Sequence, residues 1–277
     1  MELRFSMNRI TTTLDALKAN GRKALITYIV NGDPTPDTTL PTLHALVENG
    51  ADILEIGVPF SDPMAEGPVI QRGHERALEH GISLASTIDL VAKFRLTNST
   101  TPIVLMGYAN PVERMGYAAF AQRASAAGVD GLLTVDLPPE ESGDLDGHLK
   151  AVGIENIFLV APTTSLARIA HITASASGFI YYVSLKGVTG AGHLDTESVA
   201  KKVAQIRTTT GLPVMVGFGI KDGQSAKAAS QSADGAVVGS ALVALMAEGS
   251  ATSIAATVGA KVAEIRRGLD ELARVNH

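Results

Sequence analysis

Glu55 stands inside an otherwise apolar run, Ile53-Leu54-Glu55-Ile56-Gly57-Val58. A carboxylate in such a run costs free energy unless it is paired, protonated or used, because desolvation disfavours its charged form and raises its pKa. That makes Glu55 a candidate general acid/base, with a structural carboxylate satisfied by a neighbouring hydroxyl or amide as the competing reading. The residues that follow, Pro59-Phe60-Ser61-Asp62-Pro63-Met64-Ala65-Glu66-Gly67-Pro68, hold three prolines and the acids Asp62 and Glu66. Their composition is that of an ordered loop that can serve as a lid.

Glycine-rich segments supply a second chemistry. Gly217-Phe218-Gly219-Ile220, Gly239-Ser240 and Gly187-Val188-Thr189-Gly190-Ala191-Gly192 each follow a short apolar run. Glycine lets backbone N–H groups approach an anion closely, and the first amides of a helix add a favourable dipole. Gly239-Ser240 opens a short helical stretch, 241–246, so these segments form a candidate phosphate cradle built on backbone dipoles. The alternative is turn punctuation, which three such segments in succession disfavour.

Other reactive residue types carry less. Cysteine is absent, so no thiolate metal site or disulfide exists. The seven histidines show no metal-ligand spacing: His74 and His80 flank the helix after the lid without an i, i+4 pair, and His193 reads as a solvated loop residue. No metal is expected. Asp136, before Leu137-Pro138-Pro139, is a reserve acid or a helix-entry or turn residue.

These residues need a frame that gathers them. Eight short runs qualify as strands: 24–30, 52–58, 102–108, 131–135, 156–161, 179–184, 213–217 and 235–238. Most are apolar at consecutive positions, as buried parallel strands are. Amphipathic stretches separate them, with Leu40, Leu43 and Val47 on one face, Leu84, Ile88 and Val91 on another, and Ile254, Val258, Val262, Ile265, Leu269 and Leu272 along the last. A helix-ending glycine followed by the next strand recurs in Gly50-Ala51-Asp52, in Gly128-Val129-Asp130 and, more loosely, in Ala233-Asp234-Gly235. Eight units without a composition break predict one closed barrel over residues 1–277. An open doubly wound sheet shares the alternation, but Asn31-Gly32-Asp33-Pro34 stands where a dinucleotide fingerprint would begin.

Composition limits the partners. The 277 residues carry a formal charge of −5, with 4% aromatics and no tryptophan, which argues against a nucleic-acid partner. No run approaches the roughly 20 apolar residues of a bilayer span, and no secretory leader is visible, so no membrane partner and a cytoplasmic location are expected.

The stretches Gly32-Asp33-Pro34, Glu55 through Gln71, Met106-Gly107-Tyr108-Ala109-Asn110-Pro111, Asp136-Leu137-Pro138, Ser184 to Gly190, Gly217-Phe218-Gly219-Ile220 and Gly239-Ser240 together resemble the tryptophan synthase alpha subunit family. Pro59-Phe60-Ser61-Asp62-Pro63 with Gly67-Pro68, and Gly187-Val188-Thr189-Gly190, are the most specific of them. The resemblance implies an α/β fold, a single (β/α)8 TIM barrel with an extra N-terminal helix and a short helix after strand eight. It implies a lyase that cleaves indole-3-glycerol phosphate to indole and glyceraldehyde 3-phosphate. By position, Glu55 matches the general acid/base and Glu66 the second carboxylate, where the familiar pattern has aspartate. Tyr28, Tyr181 and Thr189 match substrate contacts, and Gly190, Gly219, Gly239 and Ser240 match the phosphate cradle. Pro59 and Asp62 fall in the loop that meets a β subunit in an α2β2 complex. Pyridoxal phosphate is expected in that partner, and no cofactor in this chain. The alternatives are another phosphosugar barrel enzyme, or a non-catalytic barrel that binds phosphate esters and activates a partner.

Overall fold

The computed structural model describes residues 8–184, 195–217 and 219–275. Its strands are β1 (Ala24–Val30), β2 (Ile53–Gly57), β3 (Ile103–Gly107), β4 (Gly131–Thr134), β5 (Glu155–Val160), β6 (Ile180–Val183), β7 (Val214–Gly217) and β8 (Gly235–Val238). All pair in parallel, each with its sequence neighbour, and β1 pairs with β8 to close the barrel. The helices are α1 (Arg9–Ala19), α2 (Pro36–Glu48), α3 (Pro68–Glu79), α4 (Leu84–Arg95), α5 (Ala109–Met115), α6 (Tyr117–Ala127), α7 (Gly143–Ala151), α8 (Leu166–Ser175), α9 (Thr196–Arg207), α10 (Gly223–Ser230), α11 (Ser240–Glu248) and α12 (Ile254–Val275). The expected extra N-terminal helix is α1, and the short helix after strand eight is α11.

The near-continuous apolar strands conceal a period of two, because successive side chains point to opposite faces. Ile53 belongs to the core inside the barrel, whereas Leu54 and Ile56 pack in the layer between barrel and helices. Glu55 and Gly57 share the parity of Ile53, so the one charged residue of β2 points inward. Ile10, Leu14 and Leu17 of α1 join Ile26, Val104, Leu133, Ile157 and Met215 in that inner core, so α1 plugs the amino-terminal mouth. The opposite mouth is left for chemistry.

The recurring joint has a structural use. Asp52, Asp130 and Asp234 each precede an even-numbered strand and accept an N–H from the start of the strand beside it: Leu25 at 2.8 Å, Ile103 at 2.8 Å and Val214 at 2.8 Å. Each carboxylate is then met by arginine, namely Arg266, Arg95 with Arg9, and Arg207. Burial of Asp130 and of most of Asp52 is tolerable because both the charge and the lone pairs are answered, while Asp234 keeps contact with solvent.

Two helical faces differ from their sequence pattern. The buried stripe of α2 runs through Thr39, Thr42, Leu43 and Leu46, with Leu40 and Val47 only half-buried at its margins. Threonine serves in this core because Thr42 returns its hydroxyl to the Thr38 carbonyl, 2.7 Å away, and buries its methyl. On α12, Ile254, Val258, Val262, Ile265 and Leu269 are fully buried as expected, Leu272 is half-buried, and Arg266 is drawn in by Asp52.

Candidate active site

One cavity of about 360 Å³ opens at the carboxyl ends of the strands. Tyr28, Glu55, Glu66, Tyr181, Gly219, Gly239 and Ser240, all singled out from the sequence, line it together with Met106, Val135, Leu159 and Val237. The wall is mostly apolar, with a few convergent polar groups, as a site for a small molecule should be. Thr189 and Gly190 lie outside the described residues.

Glu55 is 1% exposed, and among the described residues neither of its carboxylate oxygens has a hydrogen-bond partner. The structural-carboxylate reading requires a partner, and the described residues supply none. Burial, and secondarily the charge of Glu66, pushes the Glu55 carboxyl up to about 8. It is therefore protonated at neutral pH and poised to give a proton to something in the cavity.

Glu66 reaches the same cavity from the loop between β2 and α3. Burial raises its pKa, while the hydroxyl of Tyr108 opposes the rise by donating to Oε2. Tyr108 also accepts the Ala65 N–H at 3.1 Å and stacks on Phe60, ring centroids 4.8 Å apart. Gln71 of α3 holds the Glu66 carbonyl at 2.9 Å. The loop is thus pinned from both sides. Tyr108 stood in a quoted motif without a role; its parity with inward-facing Met106, two residues earlier, was the available signal.

The two site tyrosines rely on strand glycines. A β-carbon at Gly57 would lie 2.3 Å from the Tyr28 hydroxyl oxygen, and one at Gly217 would lie 2.5 Å from that of Tyr181. Only glycine leaves room for a phenol to lie across the neighbouring strand. Tyr28 and Glu55 are register partners on β1 and β2.

His74 was expected to flank a helix; it sits inside α3, 1% exposed, and contacts the site. The imidazole Nε2 is 3.2 Å from the Tyr28 hydroxyl, and Nδ1 accepts the Phe60 N–H at 3.0 Å. Its place beside Gly73 and Ala77 on the buried stripe of α3 was the readable clue. His80 caps α3 and contacts the Pro34 carbonyl, apart from the cavity. Asp136 lies in the turn after β4, where it accepts the Ala109 N–H at 2.8 Å at the entry of α5.

At the cradle, Gly239 precedes α11, whose N-terminus has no side-chain cap and no acidic residue in its first turn. Gly219 adopts φ +71°, a left-handed conformation suited to glycine. The mouth beside them offers main-chain donors to an anion. In the loop after β2, Pro59 is buried, whereas Asp62 and Met64 are exposed. Among the described residues no cluster of potential metal ligands occurs, and no helix is long and apolar enough to cross a membrane.

A closed β/α barrel whose apolar cavity holds a buried carboxyl with no partner among the described residues has the frame of an acid–base barrel enzyme. Residues 14–273 match the family model described as tryptophan synthase alpha chain. The tryptophan synthase alpha chain of Thioalkalivibrio sulfidiphilus is 58% identical over 95% of this chain and all of that one, and that of Burkholderia ambifaria is 54% identical over 95% and 97%. The crystal structure of tryptophan synthase subunit alpha from Legionella pneumophila superposes with a TM-score of 0.90 at 44% identity, covering 96% of this chain and 100% of the other. The chain belongs to the tryptophan synthase alpha chain family. Membership makes it a carbon–carbon lyase of tryptophan biosynthesis, performing the retro-aldol cleavage of indole-3-glycerol phosphate.

Proposed function

We propose that Glu55 and Glu66 divide the cleavage between them. Glu55, neutral at physiological pH, gives its proton to the indole carbon that carries the glycerol chain, which turns the ring into an electron sink. The Glu66 carboxylate accepts a hydrogen bond from the indole N–H and steadies the cationic ring. The Glu55 carboxylate then takes the proton of the adjacent side-chain hydroxyl. The carbon–carbon bond breaks, its electron pair returns to the ring, and indole leaves with glyceraldehyde 3-phosphate. Glu55 ends as it began, protonated. The observation that carries this reading is the buried Glu55 carboxyl, without a partner among the described residues and held at about 8 in an apolar cavity.

Tyr28 and Tyr181 bracket the ring, and Gly219, Gly239 and Ser240, with Thr189 and Gly190 from the residues that follow β6 in sequence, complete the substrate contacts and the phosphate cradle. The partner is a β subunit, in an α2β2 assembly, that uses the released indole with its own pyridoxal phosphate. The loop bearing Pro59 and Asp62 meets it, with exposed Asp62 and Met64 supplying the surface. One domain and a cytoplasmic location complete the proposal.

The purified chain is incubated with indole-3-glycerol phosphate, with and without a β subunit, and indole is measured. Release that the β subunit accelerates supports the assignment; no indole in either case overturns it.

A further inference from the structure

We propose that His74 is a positioning residue that ties the start of the loop after β2 to the Tyr28 hydroxyl in the cavity, so that the loop and the ring pocket are held as one unit. The inference rests on the cavity being the site where the indole half of the substrate lies.

The two contacts of His74 fix its tautomer. The Phe60 N–H can only donate, so Nδ1, 3.0 Å away, is the acceptor and carries no proton. In the neutral ring the proton is therefore on Nε2, which donates across 3.2 Å to the Tyr28 hydroxyl oxygen. Burial drives the imidazole down to about 4, which keeps that neutral form in place at physiological pH. A rigid ring with an acceptor on one side and a donor on the other can join a main-chain amide to a phenol, and few side chains offer that geometry.

Both ends of the link lead to the site. Tyr28 lies over Gly57, lines the cavity and is the register partner of Glu55; because its oxygen receives the His74 proton, its own O–H is left to donate elsewhere. Phe60 stacks on Tyr108, and Tyr108 donates to Glu66. The sequence Tyr28, His74, Phe60, Tyr108, Glu66 thus runs from one wall of the cavity to the other through direct contacts. A shift of the loop would be felt at Tyr28, and occupation of the ring pocket would be felt at the loop.

His74→Phe keeps a flat aromatic ring, somewhat larger than imidazole, and removes both hydrogen bonds, Tyr28→Phe removes only the far end, and His74→Gln restores an acceptor and a donor on one planar amide. Nitrogen-15 imidazole spectra at neutral pH should show the Nε2–H tautomer. Exchange of the Phe60 amide should rise at least about 10-fold in His74→Phe and stay near wild type in Tyr28→Phe. In indole release, each single Phe variant should lower kcat by roughly 10-fold, and the double variant by little more than either. His74→Gln should recover most of the loss, and thermal melts show whether each variant is folded at assay temperature. An Nδ1–H tautomer, unchanged Phe60 exchange, or losses that multiply in the double variant would each overturn the link. A wild-type chain that releases no indole would instead overturn the lyase roles, while the imidazole spectrum and the Phe60 exchange still decide the link.

Discussion

Tyr108, just past the end of β3, donates its hydroxyl proton to Glu66 on the loop after β2 and takes the N–H of Ala65 in return. The glutamate carboxylate is met where its longer arm carries it. Shortening that arm by one methylene draws the carboxylate away from Tyr108 and from the ring it is proposed to serve. A displacement of ~1 Å in a catalytic group costs on the order of 10²-fold in rate. Glu66→Asp should therefore lose indole release, by about 10- to 100-fold in kcat. Tyr108→Phe should lose roughly 10-fold, because the half-buried carboxylate is left without the donor that favours its charged form. Steady-state indole release with a saturating β subunit measures both. A gain in Glu66→Asp would mean that glutamate is a compromised residue at this position.

The Glu55 carboxyl must be protonated to act as the acid, and burial, with the charge of Glu66, sets it at about 8. The acid form is nearly complete at neutral pH and declines tenfold per unit above that value. The profile of kcat/KM should be level near pH 7 and fall with a slope approaching −1 on the alkaline side. A profile that stays flat well above pH 8 would remove Glu55 from that role.

The same displacement has a cost in stability. The folded value of Glu55 is raised from its ordinary 4.5 to about 8, so the folded state binds a proton that the unfolded state has released. Relative stability is then fully present below about pH 4.5 and declines as pH rises to about 8, above which it is level. A shift of this size is worth at most about 5 kcal/mol. Glu55→Gln, which never ionises, should abolish indole release yet melt higher than the parent, with the difference larger at pH 8 than at pH 5. Equal melting shifts at the two pH values would show that ionisation of Glu55 carries no penalty in the fold.

Much of this site was legible before any coordinate. An acid in an apolar strand is conspicuous, and strand parity then sends it inward. β1 and β8 keep the bounds read from the sequence, while β2, β3, β4, β6 and β7 lose one or two terminal residues where the chain leaves the ladder. β5 shifts by one residue, losing Ala161 and gaining Glu155, which pairs with Gly131 and is an unremarkable charged residue in isolation. His74 and Tyr108 escaped because their roles arise from contacts between elements far apart in sequence: α3 with β1, and the end of β3 with the loop after β2. Strand parity and the buried stripe of α3 turn both residues inward, but no periodicity names the partner they meet. The repeated joint is legible through its helix-ending glycine, but the aspartate beside it acts on the neighbouring strand's N–H, which only closure of the barrel supplies.

That aspartate repeat yields a stability ranking unconnected with catalysis. Asp130 is 3% exposed, accepts the Ile103 N–H, and is met by Arg95 at 2.8 Å and Arg9 at 2.8 Å. Removing it strands a nearly buried guanidinium and a main-chain donor together, and breaking a buried pair from one side costs about 3–5 kcal/mol. Asp234 performs the same main-chain duty for Val214, but its Arg207 partner is 46% exposed, and solvent answers the loss. Only the hydrogen bond, about 1–2 kcal/mol, should be forfeited there. Asp52 makes both kinds of contact and shares Arg266 with Asp270, so its removal should fall between the two. Urea unfolding of Asp130→Ala, Asp52→Ala and Asp234→Ala should rank them in that order, with kcat of the folded variants near wild type, since all three lie at the mouth plugged by α1. An Asp234→Ala variant as unstable as Asp130→Ala would mean that the main-chain bond, rather than the buried charge pair, dominates the rim.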